Sequence, residues 1–179
     1  FRTIHNRCVA EYRRAHKLRN HRYPVPDLDE GYGWTEVPFW LWTTAEPSRR
    51  PAFVRRQAGQ LVLSDGKQIQ LAVELPPGSE PTPAIEQLDG AQEQGIRLRP
   101  RALTTTMFAR LALSDLFIHG IGGAKYDQVT DTIIQRFLEL DPPEYAMATA
   151  TLKLPIARPT ADHSDLQRVK GLLRDLYYH

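Results

Sequence analysis

Residues 60–75 read QLVLSDGKQIQLAVEL, two runs of alternating apolar and polar residues around the tetrad SDGK at 64–67. Alternation with a period of two is typical of a half-buried strand, and a short polar turn containing Asp-Gly joins antiparallel strands. The sequence therefore predicts strands over 60–63 and 68–75 that pair as one hairpin.

The residues before this hairpin carry the same pattern. Segments 34–44 and 52–56 also alternate, and Gly59 provides a second tight turn, so four short strands predict an antiparallel meander. The first strand is rich in aromatic residues, which in strands form a core or a docking face more often than a wall for stacking a ligand. These aromatic residues are Trp34, Phe39, Trp40 and Trp42.

Helical periodicity and prolines divide the whole chain into four segments. We expect a basic amphipathic helix within 1–22, helical over 2–19, and a proline-containing strap, the meander and a proline-rich loop within 23–95. A glycine-turn α/β segment follows over 96–160, and 161–179 starts a C-terminal helix.

The α/β segment contains three predicted elements. Residues 107–117 are apolar almost throughout and predict a deeply buried helix, a second helix follows the glycines, and 146–154 predict a buried strand. Because the chain opens on Phe1 and a heptad-like helical pattern continues toward His179, we expect a fragment of a longer protein. That pattern consists of Leu166, Val169, Leu173 and Leu176.

Composition excludes several classes of protein. With 179 residues, 41% hydrophobic and 25% charged, the chain has ordinary globular composition and enough length for its own core. The single cysteine, Cys8, excludes an internal disulfide framework and a thiolate zinc site. No apolar run reaches the roughly 18 residues of a membrane span and no signal peptide is recognised, so we expect a cytoplasmic protein.

Basic residues are concentrated near the amino terminus, although the net charge is only +2. Seven of them lie between Arg2 and Arg22, against the single acid Glu11. Such a stripe can bind nucleic acid, but it lacks the interleaved aromatic platform that stacks bases. A solvated face, or pairing with acidic residues on a missing segment, is the favoured interpretation.

The block HGIGGAKYD at 119–127 is the segment that composition does not explain. Three glycines in four residues allow a sharp turn. We expect a helix to start near Lys125, with Asp127 as a plausible cap. The free N–H groups at the start of that helix would point at a bound anion. The candidate catalytic residues are His119, as acid or base, and Lys125. The candidate ligand-binding residues are Arg99, Arg101, Thr105, Gly120, Gly122, Gly123, Tyr126 and Asp127.

The block does not match a nucleotide-binding fingerprint. Lys125 stands where GxGxxG requires its third glycine, and GxxxxGK[ST] is absent. A purely architectural turn is therefore the main alternative. Asp162, His163 and Asp165 are more typical of a helix cap than of a metal site, and no metal is assigned.

Residues 96–155 resemble a known family. The resemblance consists of Leu-Arg-Pro at 98–100, an apolar helix, the glycine block with Tyr126, a helix with Phe137, a proline and a β run. In these features the segment resembles the bacillithiol-biosynthesis enzymes that are proposed to add cysteine to glucosaminyl malate. The family typically has Gly-Gly-Pro-Gly-Glu at the turn, whereas this chain has neither that proline nor the glutamate and carries Lys125. The resemblance implies a Rossmann-like core with a helical C-terminal extension. The HGIGGAKYD block also resembles bacterial proteins to which no activity is attached.

These observations lead to one expectation and two alternatives. We expect a mixed α/β (α+β) chain, with a meander followed by a Rossmann-like segment, that forms part of a cytoplasmic bacterial small-molecule ligase or transferase. It would bind a phosphorylated or carboxylated ligand at 120–127. A nucleotide is the candidate cofactor and the rest of a longer chain is a partner, whereas neither nucleic acid nor a membrane is favoured. The alternatives are a non-catalytic interaction module and nucleic-acid binding through the basic helix.

Overall fold

The computed structural model describes residues 1–153, 155 and 162–178, which divide into two compact units, Phe1–Thr149 and Ala150–His179. Among the described residues, the first unit contains a six-stranded antiparallel sheet, a two-stranded parallel sheet and four α-helices. The mixed α+β class is therefore confirmed. The parallel pair alone does not make a Rossmann-like arrangement, so that finer expectation is not confirmed.

The elements follow one another in this order: α1 (Arg2–Ala15), β1 (Glu30–Gly31), β2 (Trp34–Thr43), β3 (Arg50–Gln57), β4 (Gln60–Ser64), β5 (Gln70–Val73), α2 (Thr82–Glu93), β6 (Ile96–Pro100), α3 (Ala102–Phe108), β7 (Ile118–His119), α4 (Ile121–Ile133), β8 (Ala146–Met147) and α5 (His163–Tyr178). A π-helical turn continues α3 (Ala109–Leu113), and another continues α4 (Ile134–Leu138).

The large sheet confirms the predicted meander. Strands β1 to β5 are neighbours in sequence order, and β6 pairs antiparallel with β2, from Phe39 opposite Pro100 to Thr43 opposite Ile96. The β2–β3 register shifts between Val37 and Trp40, around Pro38, which has no N–H to give to a ladder. The carbonyl of Pro38 instead accepts the N–H of Arg101 at 2.9 Å, directly before α3.

The turn between β4 and β5 is built on Asp65. Its Oδ1 accepts the backbone N–H groups of Lys67, Gln68 and Ile69 at 3.0, 2.9 and 2.8 Å, and its Oδ2 accepts Arg50 at 3.0 Å. Burial of this carboxyl raises its pKa, but the four donors outweigh burial and hold the pKa of Asp65 below its ordinary value. The hairpin is therefore closed by a carboxylate.

Two faces of apolar residues hold the first unit together. On the sheet, Leu63 and Val73 pack against Ala84 of α2. Helix α2 ends at Glu93, and Gly95 follows its C-cap with a φ of +89°, which suits a residue without a Cβ. The second cluster joins α1 to α4 through Cys8, Val9, Val129 and Ile133. Helix α1 is thus a core element of the first unit, and its buried cysteine is part of that packing.

Three predicted elements differ from the structure. Helix α1 ends at Ala15 instead of residue 19, because Lys17 adopts a left-handed conformation (φ +54°) and the N–H of Leu18 bonds back to the carbonyl of Arg13. The predicted buried helix over 107–117 is wrong in extent and in burial, since the helical turns end at Leu113 and apolar side chains along it are exposed. Those exposed side chains are Phe108, Leu113 and Leu116.

The predicted buried strand over 146–154 is also wrong. Among its described residues only Ala146 and Met147 pair, with β7, and both are exposed. Leu154 of this predicted strand, and residues 156–160 of the predicted α/β segment 96–160, lie outside the described residues.

The second unit contains α5. The Oδ1 of Asp162 accepts the N–H groups of Ser164 and Asp165 at 2.8 and 2.9 Å, which confirms the helix-cap interpretation. The heptad-like apolar residues lie on this helix, as expected, and they are exposed. The terminal residues 161 and 179 are outside the described part of the chain.

Candidate functional site

A buried polar network surrounds Asp127, a residue of α4 that is only 1% exposed. Its Oδ2 accepts His119 Nε2 at 2.5 Å and the guanidinium of Arg110 at 3.1 Å. Its Oδ1 accepts the hydroxyl groups of Thr106 at 3.0 Å and Thr130 at 2.9 Å. Four donors therefore compensate the loss of water around this carboxylate.

Arg110 connects this carboxylate to a second one. Its other terminal nitrogen donates to Asp131 at 2.7 Å and to the carbonyl of Pro143, and its guanidinium lies 4.7 Å from the centre of the Tyr145 ring. One guanidinium and two carboxylates leave this group of charges with one excess negative charge before His119 is counted.

The partners of His119 fix which ring nitrogen carries a proton. Asp127 is bound by Arg110 and accepts, so Nε2 is the N–H donor and Nδ1 holds the lone pair of the neutral ring. The ring also packs edge-on against Tyr145, with centroids 5.3 Å apart. Burial, then the carboxylates of Asp131 and Asp127, raises the pKa of Tyr145, so its neutral O–H donates to the carbonyl of Ala124 at 2.9 Å.

Gly123 leaves the space that His119 occupies. A Cβ built on Gly123 would lie 2.5 Å from His119 Nδ1 and 3.2 Å from Cε1, which is closer than real Cβ contacts allow. The φ angles of Gly120, Gly122 and Gly123 are all negative, so a left-handed turn is not the reason for these glycines. The expectation of a sharp glycine turn is corrected to a close approach between a helix and an imidazole ring.

A cavity of about 170 Å³ borders the network. It lies between α3, α4 and the strap, which is the segment 23–28. His119 and Asp127 form the polar part of its wall, and Tyr126 lies beside Tyr23 of the strap with ring centroids 5.5 Å apart. The other lining residues are Pro24, Val25, Ala102, Leu103, Thr106 and Gly123. A small ligand in this cavity would contact an imidazole held by a carboxylate.

Arg13 of α1 holds the strap in place. This arginine is 7% exposed, donates to the carbonyl groups of His21, Tyr23 (3.0 Å) and Val25 (2.7 Å), and pairs with Asp27 at 2.9 Å. One guanidinium thus satisfies three carbonyls of an irregular segment. Part of the basic stripe therefore pairs with an acidic residue of this same chain, whereas the expectation named acidic residues on a missing segment.

The structure brings together four of the predicted site residues, His119, Gly123, Tyr126 and Asp127, around the cavity. Helix α4 begins at Ile121, not near Lys125, so Asp127 lies in the helix interior and does not cap it. For the same reason Lys125 is in the second turn, where it is exposed and does not line the cavity.

The remaining predicted residues lie elsewhere. Arg99 is exposed and donates to the Gln92 side chain at 3.1 Å, and Arg101 pairs with Glu36 at 2.5 Å. Thr105 is exposed and donates to a backbone carbonyl of its own helix. Gly120 and Gly122 are exposed at the start of α4, with Gly120 at the N-cap position.

The sequence analysis missed Arg110, Thr130, Asp131 and Tyr145. The signal that could have found Arg110 is a single arginine within an apolar run, because a charge in such a setting needs a buried partner. Asp127 and Asp131 are four residues apart, so both carboxylates lie on one face of α4. That spacing was the complementary signal.

Comparisons of this chain with protein-family models, with curated proteins and with solved structures found no match in any of the three. The resemblance to the bacillithiol-biosynthesis enzymes therefore stays a prediction. No described helix has both the length and the apolar content of a membrane span. Within the described residues, no cluster of three or more His, Cys, Asp and Glu could hold a metal ion.

Proposed function

We propose that this chain carries the acid–base site of a small-molecule enzyme of the ligase or transferase class, with His119 as the group that transfers a proton. The observation that carries the proposal is the His119–Asp127 pair, buried, bound by Arg110, and bordering a cavity of about 170 Å³. A few convergent polar groups in the wall of a mostly apolar cavity are a usual mark of a reaction site in a protein.

The orientation of His119 suits proton abstraction from an attacking amine, thiol or hydroxyl group. Asp127 holds Nε2–H, so Nδ1 is the basic atom, and the carboxylate stabilises the imidazolium that forms when Nδ1 takes a proton. A positioned acid–base group contributes roughly 10²–10⁴-fold to a rate.

An anionic group of the ligand is proposed to lie at the start of α4. Gly120 occupies the N-cap position without a side-chain hydrogen bond among the described residues, and the first turn contains no acidic residue. The N–H groups of this turn and the helix dipole favour a phosphate or carboxylate. Gly123 belongs to both this turn and the cavity wall, which relates the anion to the proton-transfer atom.

A thermal-shift titration of the chain tests the proposal, with ATP, ADP, sugar phosphates, cysteine and malate as separate probes. Saturation at about 100 times the dissociation constant adds roughly 2.7 kcal/mol, a rise of several degrees in Tm. We expect His119→Asn to abolish the rise for the probe that binds. Lys125→Ala is the matched control and should keep it, because Lys125 is exposed and outside the cavity.

Either of two results contradicts the proposal. If none of these probes raises Tm at millimolar concentration, the network is a structural lock between α3 and α4. If Lys125→Ala removes the rise while His119→Asn keeps it, the anion binds on the outer face of α4 and His119 has no part in binding.

A non-catalytic interaction module is the second candidate, favoured by apolar side chains left exposed near the small sheet. Ile118 is 59% and Met147 is 62% exposed, on the two paired strands. Exposed apolar surface of this kind often marks a contact with another protein. Light scattering at increasing concentration, with Ile118→Lys as the variant, would show association that the variant weakens.

A further inference from the structure

A second cavity, of about 230 Å³, is a neighbour of the cavity at His119. Val25 and Leu103 border both cavities, but the second does not contain His119 or Asp127. Its wall is formed by α1, the strap, β2, α3 and α4. Most of the wall is apolar, formed by Phe1, Leu28, Trp40, Met107 and Ile133. Nothing proposed above assigns a ligand to it.

Two buried polar residues line this wall, His5 (4% exposed) and Thr130 (1% exposed), and the hydroxyl of Thr130 already donates to Asp127. The protonation of the His5 ring follows from Asn6, whose amide is fixed by both backbone groups of Leu28. Asn6 Oδ1 accepts the N–H of Leu28 at 2.8 Å, and Nδ2 donates to its carbonyl at 2.9 Å. Because Oδ1 can only accept, His5 Nδ1 is the N–H that donates to it at 3.0 Å.

The other ring nitrogen of His5 is then an acceptor. Burial lowers the pKa of His5, which keeps the ring neutral near pH 7. Nε2 has no hydrogen-bond partner among the described residues, and it is not one of the buried unpaired side-chain atoms, so it is open to the cavity. A hydrogen-bond acceptor that lines an apolar cavity and has no donor in the protein indicates a ligand that supplies the donor group.

The charge on the wall of this cavity is already paired, although one buried donor there, Arg101 Nε, has no hydrogen-bond partner among the described residues. Arg101 is the charged residue of the wall, and its guanidinium pairs with buried Glu36 at 2.5 Å and lies over the Trp40 ring at 4.3 Å. Glu36 in turn accepts the N–H of Asp29 at 2.8 Å. A charged ligand group would lose its water without gaining an opposite charge, so a neutral ligand is favoured.

We propose that this cavity binds a neutral aromatic molecule or group, one or two rings in size, that donates one N–H or O–H to His5 Nε2, as indoles and phenols do. The size follows from the volume, since an apolar cavity of roughly 150 Å³ accepts benzene. The donor follows from the unpaired acceptor. The apolar wall, with Trp40 and Phe1, supplies aromatic contacts.

The experiment compares indole with indene, which has the same shape but lacks the N–H. Titration calorimetry of the chain should show indole binding about fivefold more tightly than indene, the size of one neutral hydrogen bond. His5→Phe should remove this preference while the affinity for indene stays within about twofold. Equal affinities of the wild-type chain for the two probes, or no binding of either at millimolar concentration, would overturn the proposal.

Location is tested with a matched pair of variants on α3. Met107→Trp fills the cavity and should weaken both probes at least tenfold, whereas Phe108→Trp adds a ring at an exposed position and should leave both unchanged. An NMR measurement on the wild-type chain needs no variant. With ¹⁵N-labelled histidine, indole should shift the Nε2 signal of His5 and leave Nδ1 protonated. Indole binding without that shift, or unchanged by Met107→Trp, places it elsewhere and refutes the assignment.

Discussion

Gly123 is the smallest residue of the His119 site and decides where the imidazole ring can lie. Gly123→Ala would place a Cβ within 2.5 Å of His119 Nδ1, so the ring must rotate away from Asp127. Overpacking of this kind costs about 1–3 kcal/mol of unfolding free energy. We expect that loss in urea denaturation, together with a changed ¹⁵N signal of the His119 Nε2–H group.

The neighbouring glycine provides the control. Gly122 lies in the same helical turn, and a Cβ built on it meets nothing within 4 Å. Gly122→Ala should therefore stabilise α4 by up to about 1 kcal/mol, because alanine favours the helix. Equal effects of the two substitutions would mean that backbone entropy, and not contact with His119, explains the glycine at 123.

Residue chemistry explains which parts of the site the sequence could predict. His119, Tyr126 and Asp127 are close in sequence to one glycine block, so clustering alone was enough to nominate them. Arg110 lies 17 residues from Asp127, and only the packing of α3 against α4 joins them. Lys125 was nominated because of its position in the block, but helical geometry directs it away from the cavity.

At the scale of secondary-structure elements, the hairpin of β4 and β5 depends on the ionised carboxylate of Asp65. We expect Asp65→Asn to lower the unfolding free energy at pH 7 by about 1–3 kcal/mol, because the amide cannot accept Arg50 as the carboxylate does. Urea denaturation measures this change. Asp89→Asn on the exposed face of α2 is the control and should stay within about 0.5 kcal/mol.

The same carboxylate predicts the direction of a pH effect. The folded pKa of Asp65 is below its ordinary value, so its stabilisation is complete above the unfolded pKa, about 3.9, and is lost as pH falls through the folded pKa. The wild-type chain should therefore lose its advantage over Asp65→Asn below about pH 4. A difference in unfolding free energy that stays constant from pH 7 to pH 2 would contradict this assignment.

Local elements were predictable from the sequence because their signals are local. The four strands of the meander follow one another with short turns, and alternation found them all. The pairing of β6 with β2 joins residues more than 50 positions apart, and no local pattern specifies it. The prediction that residues 107–113 are buried failed for a related reason, because an apolar sequence does not specify which element covers the helix. Phe108 and Leu113 are exposed.

At the scale of the whole first unit, the two sheets should differ in stability. Strand β2 is paired on both sides, by β3 and β6, and its Leu41 is 1% exposed. The paired strands β7 and β8 have two residues each, and three of these four residues are exposed, His119 being the buried one. Amides with buried, doubly paired surroundings exchange only through global unfolding, whereas short exposed pairs open locally.

Hydrogen exchange measured by mass spectrometry therefore gives a prediction for the whole unit. Peptides from β2 and β3 should exchange at least about a hundredfold more slowly than peptides from β7 and β8. His119 is in β7, so a ligand in its cavity should slow exchange of 118–127 and leave the already slow β2 unchanged. Uniform exchange across both sheets would contradict this prediction. It would mean that the network of Arg110 and Asp127 makes β7 unfold together with the large sheet, so that the His119 site is rigid before any ligand binds.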